Sequence, residues 1–171
     1  MTRTFLGRAR ADRVGTPMCH DHWQNGIGLG TDVLTADGAL PVEYLTPGDK
    51  VVTFDQGLVR LARIEIRLVP ASTALRLRPS VIDPEGAGRD LVVSERQQIL
   101  LRDWRARAIW GRPAALVEAR QLIDGASVAR LRETGPVRLF DLVFDDSQHI
   151  VLAAGGRYRF ASARMPATAE S

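Results

Sequence analysis

The sequence predicts an all-β domain of short antiparallel strands with at most one short helix. Three observations support this prediction. Charged and apolar residues alternate over short segments, most clearly over residues 63–68, where arginine or glutamate alternates with isoleucine or leucine. Turn signals made of glycine, proline and aspartate recur roughly every ten residues. Only residues 113–123 have the pattern of a helix.

Short apolar or alternating segments predict the strands, and turn signals separate them. Asp37-Gly38, the "TPGD" motif at 46–49 and Gln56-Gly57 are turns in the first half of the chain. In the second half, "DPEGAGRD" at 83–90 predicts a loop. The predicted strands are residues 31–35, 41–44, 50–55, 58–69, 73–81, 91–94, 97–101, 127–133, 137–146 and 149–155.

Two segments support more detailed predictions. Within residues 58–69, Ile64, Ile66 and Leu68 are predicted to form the dry face of a strand whose charged residues face water. Residues 113–123 predict the helix because proline stands at the start and Gly125 follows the end, although part of this segment also fits a strand.

The chain divides into three predicted regions. Residues 1–24 are rich in arginine and lack periodicity, which predicts a mobile arm. Residues 25–162 form the predicted β domain, and residues 163–171 are predicted to be a frayed tail. A chain of 171 residues is long enough for one domain with a substantial core.

The composition excludes several classes of protein. The chain has one cysteine, Cys19, which excludes disulfides within the chain and a four-cysteine zinc site. No apolar run approaches the ~18 residues of a membrane span. The N-terminus lacks the apolar segment of an ordinary secretory signal, which favours a cytoplasmic protein. The sequence is also compatible with a C-terminal export signal that a dedicated secretion system recognises.

Three stretches together resemble the Hint family, the domain shared by hedgehog autoprocessing domains and inteins. "GTDVLTADGALPVEYLTPGDKVVTFD" at 30–55 resembles the family's opening, with its "DG" turn and "PGD" motif. "DLVVSERQQILL" at 90–101 resembles the strand that carries the Thr-x-x-His motif, often Ser-Pro-x-His in the bacterial branch. "LFDLVFDDSQHIVLAAG" at 139–155 is similar to the late strand pair. Their order and spacing match the bacterial stand-alone branch most closely.

The resemblance implies a horseshoe-shaped fold with pseudo-twofold halves, and a reaction in which a cysteine attacks the carbonyl of the preceding residue. That reaction needs a nucleophile, a proton donor for the leaving amine and donors for the oxyanion. The position that corresponds to the nucleophile is Gly26, which has no side chain. The motif histidine corresponds to Gln97, whose neutral amide does not deliver a proton, while Ser94 holds the Thr or Ser position.

Other residues are candidates to replace the missing groups. Asp146 and His149 lie near the acidic turn of the late strand pair, and His149 is either a relic of an active-site histidine or a hydrogen-bonded structural residue. Cys19 would reach the position of Gly26 only if the arm folded back. Beyond residue 155 the chain lacks the His-Asn pair and following nucleophile of an intein, so the chemistry excludes protein splicing.

Two further groups of residues offer alternatives. Cys19, His20 and His22 have side chains that suit zinc or copper, but a chance cluster explains them equally and no cofactor is predicted. Arginines interleaved with tryptophans suit single-stranded nucleic acid or an acidic protein surface, and they also fit an exposed strand and loop at the edge of a core. These residues are Arg102, Trp104, Arg105, Arg107, Trp110 and Arg112.

The sequence therefore predicts a Hint-like domain that has lost its self-cleaving chemistry. Such a domain would serve as a binding or structural module, with an unidentified protein as its partner. One alternative is an active autoprocessing domain that uses Ser94, His149 or Cys19. A third reading is a β domain associated with nucleic acid.

Overall fold

A computed structural model describes residues 25–78 and 88–163. Within these residues the chain forms fourteen strands and one α-helix, α1, at Trp104–Trp110. Three short 3₁₀ segments lie at Val42–Tyr44, Ala71–Thr73 and Ala119–Leu122. The strands are β1 Ile27–Gly28, β2 Asp32–Thr35, β3 Gly38–Pro41, β4 Lys50–Thr53, β5 Gly57–Arg60, β6 Arg63–Pro70, β7 Ala74–Leu77, β8 Leu91–Ser94, β9 Gln98–Leu101, β10 Ala115–Glu118, β11 Val128–Arg130, β12 Pro136–Val143, β13 Ile150–Ala153 and β14 Tyr158–Ala161.

The strands form two antiparallel sheets. The first sheet has the order β11-β7-β8-β1-β12-β6, and the second has the order β10-β9-β14-β13-β2-β4-β5, with β3 paired to β2. Buried side chains from both sheets form one hydrophobic cluster, to which Ile27 and Leu75 contribute from the first sheet and Val33, Val51 and Phe160 from the second. The predicted all-β fold with one short helix is therefore confirmed.

The predicted helix at 113–123 is wrong. Its residues form β10, which pairs with β9 from Ala115↔Leu101 to Glu118↔Gln98, followed by a 3₁₀ segment. The helix instead lies at α1. The side chain of Asp103 caps its start by accepting from the Arg105 N–H at 2.9 Å, and Gly111 ends it with φ of 65°. Both cap residues can be seen in the sequence. They were overlooked because the segment between them was interpreted from its alternating arginines and tryptophans.

The faces of β6 differ from the prediction at residues 66–68, whereas Ile64 is partly buried against the core as expected. Ile66 and Leu68, predicted to be dry, have 59% and 67% of their surface exposed. Arg67 is half-buried, and its guanidinium reaches across β12 to the carbonyl of Asn25. The charged side chains of this face can be partly buried because they have polar partners, such as the Asn25 carbonyl for Arg67.

Smaller differences concern the strand ends. Residues 41–44 turn through a 3₁₀ segment after β3 and do not form the predicted strand. Three strands were missed, β1, β3 and β14; β14 is buried at three of its four residues, and the rings of Tyr158 and Phe160 stack at 5.3 Å. Ala163, placed in the tail by the sequence, is buried and donates its N–H to the Leu142 carbonyl at 2.9 Å.

Candidate functional site

The two positions that the resemblance marked as empty lie in hydrogen-bond contact. The Gly26 N–H donates to Oε1 of Gln97 at 2.8 Å, across a sequence separation of 71 residues. The Gly26 carbonyl accepts from the Ser94 N–H at 2.8 Å. β1 brings Gly26 here because it pairs with both β8 and β12, and Gln97 stands in the turn that joins β8 to β9.

The orientation of the Gln97 amide follows from its other contacts. Its Nε2 donates to the carbonyls of Gln98 and Ala161, each at 2.9 Å, so its Oε1 must be the atom that faces Gly26. Gln97 is 1% exposed and therefore has little contact with water. The Gln97 side chain accepts a hydrogen bond from the Gly26 N–H, whereas departure of an amine requires a group that donates a proton to the nitrogen.

Asn25 is held by hydrogen bonds at both ends of its side-chain amide and at its backbone carbonyl. Its Nδ2 donates to the Ser162 carbonyl at 2.8 Å, and its Oδ1 accepts from the Gln98 N–H at 2.8 Å. Its backbone carbonyl accepts from the guanidinium of Arg67. These bonds explain how Asn25 is only 2% exposed, because a buried amide is costly unless its groups are paired.

A buried carboxyl lies beside Arg67. Asp141 on β12 is 3% exposed, and burial raises the pKa of its carboxyl to about 7, against the charge of Arg67 and with a contribution from Glu65. Burial likewise lowers the pKa of Arg67, while Asp141 and Glu65 act in the opposite direction. The site thus combines a charged guanidinium with a carboxyl that changes charge near neutral pH.

The space beside Gly26 is filled. A Cβ atom added there would lie 3.1 Å from Cβ of Leu139, 3.3 Å from its Cδ1 and 3.3 Å from a terminal nitrogen of Arg67. These distances are shorter than ordinary carbon contacts of about 3.5–4 Å. A side chain at residue 26 would require Leu139 or Arg67 to shift by a few tenths of an ångström.

His149 belongs to a separate buried cluster. Its side chain is fully buried, with Nδ1 2.7 Å from Oδ2 of Asp55 and Nε2 2.9 Å from Oδ1 of Asp146. Desolvation lowers the pKa of the imidazole, but hydrogen bonds and charges from Asp55 and Asp146 outweigh it and the net pKa is raised. Both ring nitrogens face carboxylates, which is the arrangement of an imidazolium that ties segments together.

Sequence reasoning located some of these residues and missed others. It named Gly26, Ser94, Gln97, Asp146 and His149. Ser94 Oγ accepts from the Arg96 N–H at 3.2 Å. The residues it missed are Asn25 as a buried anchor, Asp55, Arg67 and Asp141. Only the Asn-Gly pair and the aspartate of the "LFDL" run gave a local signal, because Arg67 read as a surface residue of an amphipathic strand.

The remaining candidate residues lie elsewhere. Cys19, His20 and His22 fall outside the described residues, and residues 25–78 and 88–163 contain no cluster of His, Cys, Asp and Glu suited to a metal ion. Trp104 is 74% exposed, whereas Trp110 packs against the core. No helix in these ranges is both long and apolar enough to cross a membrane.

Comparison with known proteins identifies the family. The model of the Hint domain matches residues 28–158, more than half of the chain, and this chain belongs to the Hint domain family. No curated protein matches it.

Solved structures agree on the fold. A bacterial intein-like domain from Clostridium thermocellum is 18% identical with a TM-score of 0.51, over 81% of this chain and 98% of that one. The Ssp DnaB mini-intein variant M86 is 11% identical with a TM-score of 0.51, over 83% and 96%. The Msm DnaB1 intein splicing domain bound with zinc is 17% identical with a TM-score of 0.50, over 81% and 99%. At these identities the similarity concerns the fold alone.

Proposed function

We propose that this Hint domain has lost its self-cleaving chemistry and now acts as a binding or structural module. The observation that carries the proposal is the bond from the Gly26 N–H to Oε1 of Gln97. The Gly26 nitrogen is the atom that would have to leave as an amine. It is bound by an amide oxygen, which accepts a hydrogen bond and does not donate a proton. Loss of a general acid costs roughly 10²- to 10⁴-fold in rate, and loss of the nucleophile removes the covalent route altogether.

Packing around residue 26 supports the same conclusion. Leu139 and Arg67 occupy the space that a nucleophilic side chain would need. Asn25, Gly26 and Gln97 are buried; Gly26 bonds to Gln97, and Asn25 bonds to the Gln98 N–H, so these residues contribute to the core. Polar groups that are engaged within the domain stabilise a scaffold and offer little to a substrate.

The alternative is autoprocessing by other residues. The imidazole of His149 is engaged by Asp55 and Asp146 on its two nitrogens, and an imidazolium held in this way is a poor general base. Ser94 contributes its backbone N–H to the Gly26 carbonyl, and its hydroxyl oxygen accepts from Arg96. Neither arrangement supplies a nucleophile aimed at the Asn25 carbonyl.

Intact-mass spectrometry of the full chain tests the proposal. We expect the mass to be unchanged after incubation with a thiol, because no thioester forms. Hydroxylamine is avoided, since it cleaves Asn-Gly bonds chemically and residues 25 and 26 form such a bond. Fragments that end at Asn25 and begin at Gly26 would show that the domain still processes itself. The Gln97→Ala variant provides a matched sample, since cleavage at an active site would change with it and chemical hydrolysis would not.

Nucleic-acid binding is a second candidate, favoured by one cleft. Arg102, Arg105, Arg157 and Arg159 line it together with Asp103. The guanidinium carbons of Arg102 and Arg159 lie 4.9 Å and 5.3 Å from the centroid of the Phe54 ring. Ordered guanidinium groups suit phosphate oxygens, and the nearby exposed Trp104 offers a surface for a base.

Retention on immobilised single-stranded DNA tests this candidate. Phosphate contacts release counterions, so retention should fall steeply as salt rises, and Arg102→Gln should weaken it. Arg63→Gln is the control, because this arginine is exposed and does not line the cleft. Equal retention of the two variants would count against the cleft.

A further inference from the structure

The long strand β6 forms the outer edge of the first sheet. It pairs with β12 over eight residues, from Arg63↔Val143 to Pro70↔Pro136. On its other side it has no strand partner among residues 25–78 and 88–163. An open edge of this length offers unpaired N–H and C=O groups to another chain, and proteins usually shorten, cover or pair such edges.

The backbone register shows which residues offer these groups. The Ala71 N–H donates to the Gly135 carbonyl, its partner in the continuation of the β6–β12 ladder. Hydrogen-bonded and non-hydrogen-bonded pairs alternate along an antiparallel ladder, so the odd-numbered residues of β6 bond to β12. The even-numbered residues, Ile64, Ile66 and Leu68, therefore direct their N–H and C=O groups toward the open edge.

Two of these three residues, Ile66 and Leu68, carry exposed apolar side chains. Ile66 is 59% exposed and Leu68 is 67% exposed, and Ile64 is partly buried against the core. Pro70, which has no N–H, also falls in the even-numbered set, where a missing donor costs nothing on an open edge. The edge thus presents a hydrogen-bonding ladder and an apolar strip together.

The charges of β6 select one self-pairing. In an antiparallel pair of two copies, the twofold axis can pass through residue 65, 66 or 67. At each of these positions, the backbone groups that face the open edge lie opposite those of the other copy. Centring on Arg67 places it against its own copy, and centring on Glu65 does the same for that carboxylate. Centring on Ile66 avoids both like-charge contacts, because it places each Glu65 opposite an Arg67, in addition to the bonds that these side chains make within their own copy.

We propose that two copies of this chain associate through β6, antiparallel across a twofold axis at Ile66. Ile66 then faces its own copy and Ile64 faces Leu68, so the apolar strip of each copy covers that of the other. The first sheet continues across the axis as a single sheet, and the interface is self-complementary as twofold symmetry requires. The inference is independent of whether the cleft at Gly26 has lost its chemistry.

Sedimentation of the full-length chain provides the first test. We expect a dimer at protein concentrations on the order of 100 μM, and Ile66→Asp should weaken the association at least about tenfold because it places two like charges together at the axis. Leu58→Asp is the matched control, since Leu58 is 55% exposed on β5, the edge strand of the second sheet. A monomeric wild-type chain, or equal effects of the two variants, would overturn the proposal.

Cross-linking tests the register. In a Cys19→Ser background, Ile66→Cys should form an oxidised dimer, since residues opposed in a hydrogen-bonded pair lie about 5.5 Å apart at Cα, within disulfide range. Leu58→Cys in the same background should remain monomeric under the same conditions. Cross-linking through residue 58 and not 66 would refute the β6 interface. So would slow exchange of the Ile64, Ile66 and Leu68 amides in a monomer, which would mean that another segment of the chain covers the edge.

Discussion

At the scale of residues, Gln97 holds three backbone groups with one amide. It accepts from the Gly26 N–H and donates to the carbonyls of Gln98 and Ala161. These groups belong to three distant parts of the chain. Buried groups left unpaired each cost roughly 1–3 kcal/mol, so the Gln97 side chain has a measurable structural role.

We expect Gln97→Ala to lower the free energy of unfolding by about 2–4 kcal/mol, because it leaves buried groups without partners. Denaturant unfolding followed by circular dichroism measures it. The neighbouring Gln98→Ala is the control: within the described part of the chain, the Gln98 side chain has one hydrogen bond, from Gln148 at 3.4 Å, so its effect should stay below about 1 kcal/mol. Equal losses would show that the amide of Gln97 carries no special role.

Gly26→Cys should remain uncleaved in the presence of thiols. The new sulfur restores a nucleophile, but Gln97 still accepts a hydrogen from the residue 26 nitrogen and gives no proton to a leaving amine. The contacts with Leu139 and Arg67 should also cost about 1–3 kcal/mol of stability. Intact-mass spectrometry reads the outcome, with the exposed Leu29→Cys as a thiol control. Fragmentation after Asn25 would show that a nucleophile alone is sufficient.

At the scale of elements, His149 joins two turns by side-chain hydrogen bonds, in addition to the hydrogen bonds between the strands. Asp55 follows β4, and it accepts from the Ile150 N–H at 2.9 Å as well as facing the imidazole. Asp146 stands in the turn between β12 and β13. The imidazole thus connects the β4–β5 turn to the start of β13, and its charge state governs that connection.

Stability should depend on pH in a defined way. The pKa of His149 is raised from 6.5, so its contribution is full below pH 6.5 and is lost as pH rises through the folded value. The pKa of Asp55 is lowered from 3.8 because its bonds to Ile150 and His149 outweigh desolvation, so its contribution is lost as pH falls below that value. The carboxyl of Asp141, raised to about 7, loses stability between pH 3.8 and about 7. We therefore expect maximal stability at mildly acidic pH and a decline toward alkaline pH.

Two variants separate these contributions in thermal or denaturant melts across pH. Asp141→Asn should flatten the decline below about pH 7, and His149→Gln should flatten the part above pH 6.5. Glu43→Gln serves as the control, because this carboxylate lies outside both clusters and bonds to the Gly30 N–H. A wild-type profile that rises from pH 5 to pH 8 would contradict the assigned directions of both shifts.

At the scale of the whole molecule, contacts between distant parts of the chain converge on Asn25 and Gly26. Their partners include Ser94, Gln97 and Ser162, and the bond to Ser162 spans 137 residues of sequence. β1 has only two residues but pairs on both sides, with β8 and β12. The crossing of these strands therefore joins distant parts of the chain through Asn25 and Gly26.

Native-state hydrogen exchange should reveal this arrangement. The amides of Gly26, Ser94 and Gln98 donate to buried or centrally placed acceptors, so we expect them to exchange only through global unfolding. Amides of the exposed edge strand β5 should exchange through local opening and serve as the internal reference. Fast exchange at Gly26 would mean that the cleft opens independently of the rest of the fold.

Local sequence was sufficient for the class of fold and most strand positions, and the family resemblance was sufficient to single out Gly26 and Gln97. Alternation, turn residues and motif order are local properties, so Gly26 and Gln97 could be named before their contact was known. Tertiary structure alone decided that β10 is a strand, since pairing with β9 outweighed the proline and glycine that suggested a helix. It also decided which face of β6 is buried. The reason is physical: alternation sets two faces apart, but only the neighbouring strands, here β12 and the Asn25 carbonyl beyond it, determine which face is buried.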